Sequence, residues 1–366
     1  MNMMRCLTFK LRLSEEDGAK LLNTMREYTK AFNTCAEWGY ENRTWNKVEN
    51  HKATYRQVRE SSKLPSSLVQ GARDCACEAL KALKCETVPE RKPLSAMRYN
   101  HRVATVNMLH GVATLATVYS RVKATFNVPD NYEPYLGWNI RSSTLSYRGY
   151  SKEFYLHVSI DTATPAIMND VNVLGIDQGI KNIAVCSDKT FFNSKAVKNV
   201  RAHYATLRAE LQSKGTRSAR RKLKKVSGRE RRFVTNVNHC IAKTIVNTGY
   251  TVFALEDLSK IRVQKRRGKE FDRKLNNWSF YQLEQFLRYK AEALGKRVIL
   301  VDSRYTSQKC SHCGHTYKGN RDGSDFLCRS CGFHVHADLN ASRNIAQAGI
   351  SGMGRLPVNQ PNVTSK

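Results

Sequence analysis

The sequence predicts a multidomain protein: a small antiparallel β unit carrying a helical insertion, then an α/β sheet domain interrupted by a four-cysteine ribbon. Three observations predict it. Apolar and polar residues alternate at the start of the chain, and stretches rich in Thr, Val, Tyr and Phe return over residues 103–128 and 142–160. Three apolar strands, at 171–177, 250–256 and 297–302, alternate with helical sequence, as in a sheet with helices on its faces. Two CxxC pairs stand between the last of these strands and a final helix.

In chain order, residues 4–13 form a strand with Leu7, Phe9, Leu11 and Leu13 on one face and Thr8, Lys10 and Arg12 on the other. Ser14 and Asp17 mark a helix start. The helix carries Leu21, Met25, Tyr28, Phe32 and Cys35 at steps of four and three, a stripe for burial. Helical sequence continues to about residue 85, with a break at Lys63-Leu64-Pro65. Its bases, among them Lys20, Arg26, Lys30, Arg43 and Arg56, read equally as a solvated face. Residues 86–165 read as an antiparallel unit or barrel, with which the N-terminal strand can pair; the helical block is then an insertion into it.

Residues 171–177 form an apolar strand that ends in Asp177. Gly179 turns the chain, and 181–187 is the return strand. Helical sequence fills 199–247 and 278–294, on either side of a strand ending in Glu256. A last helix, 337–348, begins at Asp338. The tail, 351–366, is rich in Gly, Pro, Asn and Ser and is predicted to be disordered.

Lysine and arginine total 61 against 31 acids in 366 residues, a formal charge of +30. An excess this large repels itself unless a polyanion offsets it, which points to nucleic acid. No apolar run approaches the ~20 residues of a membrane-spanning helix, and the opening residues lack the apolar block of a signal peptide. The 11 cysteines are odd in number, and seven are scattered, so they read as reduced intracellular thiols rather than a disulfide framework. Cys75-Ala76-Cys77 lacks a partner knuckle and reads as helix packing.

Cys310, Cys313, Cys328 and Cys331 form two knuckles separated by a stretch long enough for a hairpin. Four thiolates suit one Zn²⁺ and close it to substrate, so the metal is structural. Asp177 and Glu256 meet at one sheet edge if their strands are neighbours, and Asp338 can lie against it. Three gathered carboxylates repel unless cations sit among them, and oxygen donors suit Mg²⁺ or Mn²⁺, two of which can support phosphodiester cleavage. For any one of these acids taken alone, turn chemistry or a helix cap is the favoured explanation. The segment 214–232 carries Arg217, Arg220, Arg221, Lys222, Lys224, Lys225, Arg229, Arg231 and Arg232, opposed only by Glu230. Lys265, Arg266 and Arg267 form a second cluster just after the Glu256 strand. Both suit phosphate backbone, which they can hold but not read. Of Trp278, Phe280 and Tyr281, most read as core.

Six motifs occur in order over residues 171–348: GIDQGIKNIAV, HCIAKTIV preceded by SGRERRF, ALEDLSKIR, WSFYQLEQFLRYKAEALG, RYTSQKCSHCG and HADLNASRNI. Together they resemble TnpB, the transposon-encoded RNA-guided DNA nucleases related to type V CRISPR effectors. The resemblance implies an RNase H-like (RuvC) α/β nuclease domain over 166–308 and 336–350, with Asp177, Glu256 and Asp338 as catalytic acids and magnesium ligands. It implies a target nucleic-acid-binding zinc ribbon at 309–335. The first half agrees only in outline with a wedge-like β-barrel, 1–13 and 86–165, holding a helical recognition insertion, 14–85. Guide RNA from the transposon end and target double-stranded DNA are the implied partners, one protomer per RNA, in prokaryotic cytoplasm at the nucleoid. An Arg commonly precedes the third acid in the family; here His336-Ala337 stand there. A transposase or resolvase acting without RNA, and a nuclease-inactive binder, are the competing readings.

Overall fold

The computed structural model describes residues 2–258 and 279–352. The chain divides into two units, Met1–Ala163 and Thr164–Lys366. The predicted cluster Lys265, Arg266 and Arg267, the residue Trp278 and the tail from 353 lie outside the described residues.

In the first unit, strand β1 (Asn2–Lys10) runs antiparallel to β7 (Glu153–Ala163) from Asn2 opposite Ala163 to Lys10 opposite Tyr155. Between β1 and β2 (Met97–Tyr99) lie helices α1 (Glu15–Glu41), α2 (Lys47–Ser61) and α3 (Ser66–Ala82). Ser14 caps α1 by accepting the Asp17 amide at 3.1 Å, as its side chain suits. The stripe of Leu21, Met25, Tyr28, Phe32 and Cys35 is fully buried, against helix α3 and the sheet. The β stretch resolves into two sheets. One orders β1, β7, β6 (Asn139–Arg148) and β2; the other orders β3 (Ala104–Asn107), β4 (Val112–Ala116) and β5 (Arg121–Thr125). A bridge from Arg12 to Thr125 ties β5 to the chain just after β1.

The second unit is built on a five-stranded sheet ordered β10 (Phe191–Asn193), β9 (Asn182–Cys186), β8 (Val173–Asp177), β11 (Val252–Glu256) and β12 (Arg297–Val301). β8, β11 and β12 are parallel; β9 and β10 return antiparallel. The helical stretch before β11 is three helices, α4 (Lys195–Lys214), α5 (Arg217–Val226) and α6 (Arg229–Val246). Gly215, at φ +60°, stops α4, and Thr216 caps α5 by accepting the Ala219 amide. Helix α7 (Phe280–Glu292) precedes β12. Strands β13 (Arg321–Asp322), β14 (Asp325–Leu327) and β15 (His334–His336) form the ribbon sheet, and α8 (Ala337–Ser351) closes the described chain.

Strand alternation sorts the two sheet faces. Leu174, Ile176, Ala184, Cys186, Phe253, Leu255 and Val298 pack with α6 and α7. Val173, Ala254, Ile299 and Val301 pack with Ile345 and Ala348 of α8. Gly175 lies on this second face, and the approach is so close that a Cβ there would stand 2.0 Å from the Ser342 carbonyl oxygen and 2.4 Å from the Ala346 nitrogen. Both obstacles are backbone, so α8 itself must move to accept any side chain. Gly175→Ala is expected to destabilise the second unit by about 1–3 kcal/mol, the usual range for overpacking. Thermal unfolding checks this, with Gly249→Ala, where an added Cβ meets nothing within 4 Å, as the control.

Candidate active site

Asp177 and Glu256 end neighbouring parallel strands. The register pairs Ala254 with Gly175 and Leu255 with Ile176; one step further sets the two acids side by side on the α8 face. Asp338 stands in the first turn of α8, where the helix N-terminus favours an acid, and its amide is capped by His336 Nδ1 at 3.2 Å. All three side chains are half-buried. The structure therefore brings the three predicted acids to one sheet edge.

Burial, and then the nearby charges of Glu256 and Asp338, push the Asp177 carboxyl well above the usual carboxylate range, with Arg321 pulling the other way. Burial also raises Glu256, against a hydrogen bond donated by Thr306 and the charge of Arg321. Asp338 accepts from Arg321 Nη2 at 2.9 Å and from Asn182 Nδ2 at 3.0 Å. The site thus holds more negative charge than Arg321 alone offsets. Three hard oxygen donors in this state fit Mg²⁺ or Mn²⁺. The four cysteines described next form a separate group whose sulfurs all lie within 4.8 Å of one another.

Cys310, Cys313, Cys328 and Cys331 converge, with Sγ–Sγ distances of 3.8 Å for Cys310–Cys331 and 3.6 Å for Cys313–Cys328. A tetrahedron with Zn–S near 2.3 Å has edges of about 3.8 Å, so the cluster fits zinc. Backbone N–H groups of Cys331 and Ser330 hold the Cys328 thiol down to about 6, against the effect of burial. Phe326 is fully buried beneath the knuckles with Ala337, at the start of α8.

The ribbon is bound to the acids by several contacts. Asn340 donates to the Lys309 carbonyl and accepts the Ser311 amide; Asn344 donates to the Thr306 and Lys309 carbonyls. Both asparagines are buried on α8, so they anchor the chain entering the first knuckle. That chain carries Thr306, which holds Glu256. Arg321, on β13, reaches Asp338 from 17 residues upstream.

The predicted cations Arg217, Arg220, Arg221, Lys222, Lys224, Lys225, Arg229, Arg231 and Arg232 lie on α5 and the first turn of α6, and all are exposed. No ion pair among the described residues engages them; Glu230 pairs instead with Arg201 and Arg208. Phe280 is buried, as read from its spacing, whereas Tyr281 is exposed. No helix among the described residues is long and apolar enough to cross a membrane.

Sequence reasoning missed Arg321, Thr306, Asn182, Asn340 and Asn344. Two asparagines at i and i+4 on an otherwise small and apolar helix face were a usable signal. Arg321 had none, since only the ribbon's fold brings it to Asp338.

Two family models match the chain. One, described as "Probable transposase", covers residues 156–267, and the other, "Cas12f1-like, TNB domain", covers 280–345. Among curated relatives, a TnpB-like protein of Aquifex aeolicus (strain VF5) is 36% identical over 28% of this chain and 35% of its own. Over residues 156–267 and 280–345 the chain is thus similar to transposon-associated and Cas12f1-like proteins, TnpB-like proteins among them. The CRISPR-associated endodeoxyribonuclease Cas12f1 of Sulfoacidibacillus thermotolerans is 32% identical over 57% of this chain and 53% of its own. InsQ of Escherichia coli (strain K12), named provisionally as an RNA-guided DNA endonuclease, is 28% identical over 59% of this chain and 61% of its own. The chain thus spans 53% and 61% of the lengths of these two relatives. A solved Cas12f1 in complex with sgRNA and target DNA shares the fold, with a TM-score of 0.59 and 14% identity over 94% of this chain and 99% of that one. The mini-RNA-guided endonuclease CRISPR-Cas_phi3 gives 0.58 and 11% over 95% and 92%.

Two outcomes are expected of this site. A carboxyl whose folded pKa is raised favours the fold while it is protonated. The metal-free protein should therefore lose stability as pH rises above the unfolded carboxylate value of about 4, through the folded pKa of Asp177. Asp177→Asn removes this loss. It should raise Tm at neutral pH in zinc-replete, magnesium-free buffer by about 3 °C, with the difference vanishing near pH 4. Separately, Cys310→Ser should lose the zinc on metal analysis and open the chain around residues 305–340 to protease; undiminished zinc would refute it.

Proposed function

We propose that the protein is an RNA-guided DNA endonuclease of a transposon, with Asp177, Glu256 and Asp338 as its catalytic acids. The observation that carries this reading is the convergence of three carboxylates on one sheet edge, with Asp177 driven toward protonation by burial and then by the other two. The names of the Cas12f1 and InsQ relatives support the activity class. The strand order supports an RNase H-like (RuvC) nuclease domain: three antiparallel strands beside two that are parallel to the first. On this reading residues 166–308 and 336–350 form that domain, and 309–335 is a zinc ribbon that handles target nucleic acid. Residues 1–13 and 86–165 are the wedge-like barrel, with the helical recognition insertion at 14–85.

Magnesium or manganese, when bound, supplies Lewis-acid stabilisation and an activated water for phosphodiester hydrolysis. The protein's own work is positional. Thr306 fixes the Glu256 carboxylate, and Asn182 and Arg321 fix that of Asp338. Arg321 also leaves a cation beside the point where phosphate must approach. The exposed cations of α5 and α6 hold phosphate backbone of guide RNA or DNA, while base pairing with the guide supplies sequence specificity.

The test is purified protein co-expressed with the transcript of the flanking transposon end. The wild type is expected to retain that RNA and to cut a duplex matching it. Asp177→Ala should retain the RNA and lose cleavage by at least a hundredfold. Cutting without RNA would instead favour a transposase or resolvase, and normal cutting by Asp177→Ala would overturn the site assignment.

A further inference from the structure

Asp177 and Glu256 lie in one transverse row of the sheet, and the row continues to an exposed aromatic ring. Asp177 pairs with Val185, and Val185 pairs with Phe191 on the edge strand β10. Directly opposed residues share a face, so Phe191 stands on the α8 face two strands from Asp177, roughly 10 Å across the sheet. Phe191 is 41% exposed, and its ring meets that of His336 in a T-shaped contact, at 5.2 Å and 88°. His336 is the cap of the helix that presents Asp338.

A second exposed aromatic residue belongs to the turn after β12, on the other side of β11 from β8. Tyr305 follows β12, the strand next to β11, and directly precedes Thr306, which holds Glu256. It is 64% exposed, and no ring packs against it among the described residues. Its backbone is left-handed, at φ +64°, a costly conformation for a large side chain, and it is the only aromatic among seven such non-glycine residues described. The turn is fixed by its carbonyl, which accepts from the amides of Gln308 and Lys309 at 2.9 Å, and by Arg304 beside it, paired with Asp302. Asparagine or glycine would sit there without strain but would offer no ring.

From this arrangement we propose that Phe191, backed by His336, and Tyr305 bracket the acids as two nucleobase-stacking supports, which hold a single strand of nucleic acid across the carboxylate edge. The inference rests on the nuclease reading and adds how the scissile strand is positioned. Every base has a π face, so the grip is indifferent to sequence, as a guided nuclease requires. Stacking at both residues would hold the bases flanking one phosphodiester and leave that linkage over the acids. Both residues position the strand; neither touches the reacting atoms.

The test measures binding of a fluorescent single-stranded oligodeoxynucleotide to the RNA-loaded protein in magnesium-free, zinc-replete buffer. The salt is set near 0.2 M, so that backbone electrostatics contribute less. Phe191→Ala and Tyr305→Ala are each expected to weaken binding about tenfold, the low end of one base–aromatic stack, and the double variant more. Tyr305→Phe should bind like the wild type, and Phe191→Leu, which keeps apolar packing without the ring, should bind like Phe191→Ala. In cleavage assays the alanine variants should raise KM and also lower kcat, as loss of strand positioning requires. Unchanged oligonucleotide binding by a folded double variant overturns the proposal, whether or not the wild type cuts. Failure of the wild type to cut RNA-matched duplex overturns the nuclease reading instead.

Discussion

The site depends on one steric condition, the seating of α8 directly on strand β8. Asp177 and Glu256 come from neighbouring strands and meet through sheet register alone. Asp338 belongs to a helix that follows the ribbon, and it joins them only because Gly175 lets the α8 backbone approach the sheet without an intervening side chain. The same helix buries Asn340 and Asn344, which hold the chain between β12 and the first knuckle. Glycine in a strand interior ordinarily weakens it through entropy and lost packing. Here that loss is exchanged for a third carboxylate at the right place.

Electrostatics sets the second constraint. A chain of formal charge +30 gathers three acids at one edge, where they repel one another in a half-buried setting. Arg321 relieves part of this, and it comes from the four-cysteine ribbon rather than from the sheet. The four-cysteine cluster is therefore more than a local staple. Its fold delivers the cation that pairs with Asp338, and the chain leading into it delivers the hydroxyl that holds Glu256. The cysteine cluster and the three acids are connected through two short hydrogen-bonded paths.

Much of this was legible in the sequence, for physical reasons that differ by element. The buried stripe of α1 repeats at helical spacing, and the strands ending in Asp177 and Glu256 are apolar runs closed by an acid, so local pattern carried them. The knuckles were legible because ligand spacing is itself the signal. The breaks at Gly215 and near Ser227 fell inside what read as one helical stretch, since a basic, polar sequence gives weak periodicity. Strand β10 is three residues long and has no period to detect. Arg321, Asn182 and Thr306 act on acids 17, 156 and 50 residues away, and no local property of the chain announces such pairings. The second basic cluster, at Lys265, Arg266 and Arg267, has a sequence reading only.

The central claim is that these three acids form one divalent-cation site. Manganese binding followed by electron paramagnetic resonance, on zinc-loaded wild-type protein and on Asp177→Asn, Glu256→Gln and Asp338→Asn, tests it most directly. Saturable binding by the wild type that each substitution weakens by tenfold or more is the predicted result. Manganese uptake that is the same in all four proteins would contradict the account.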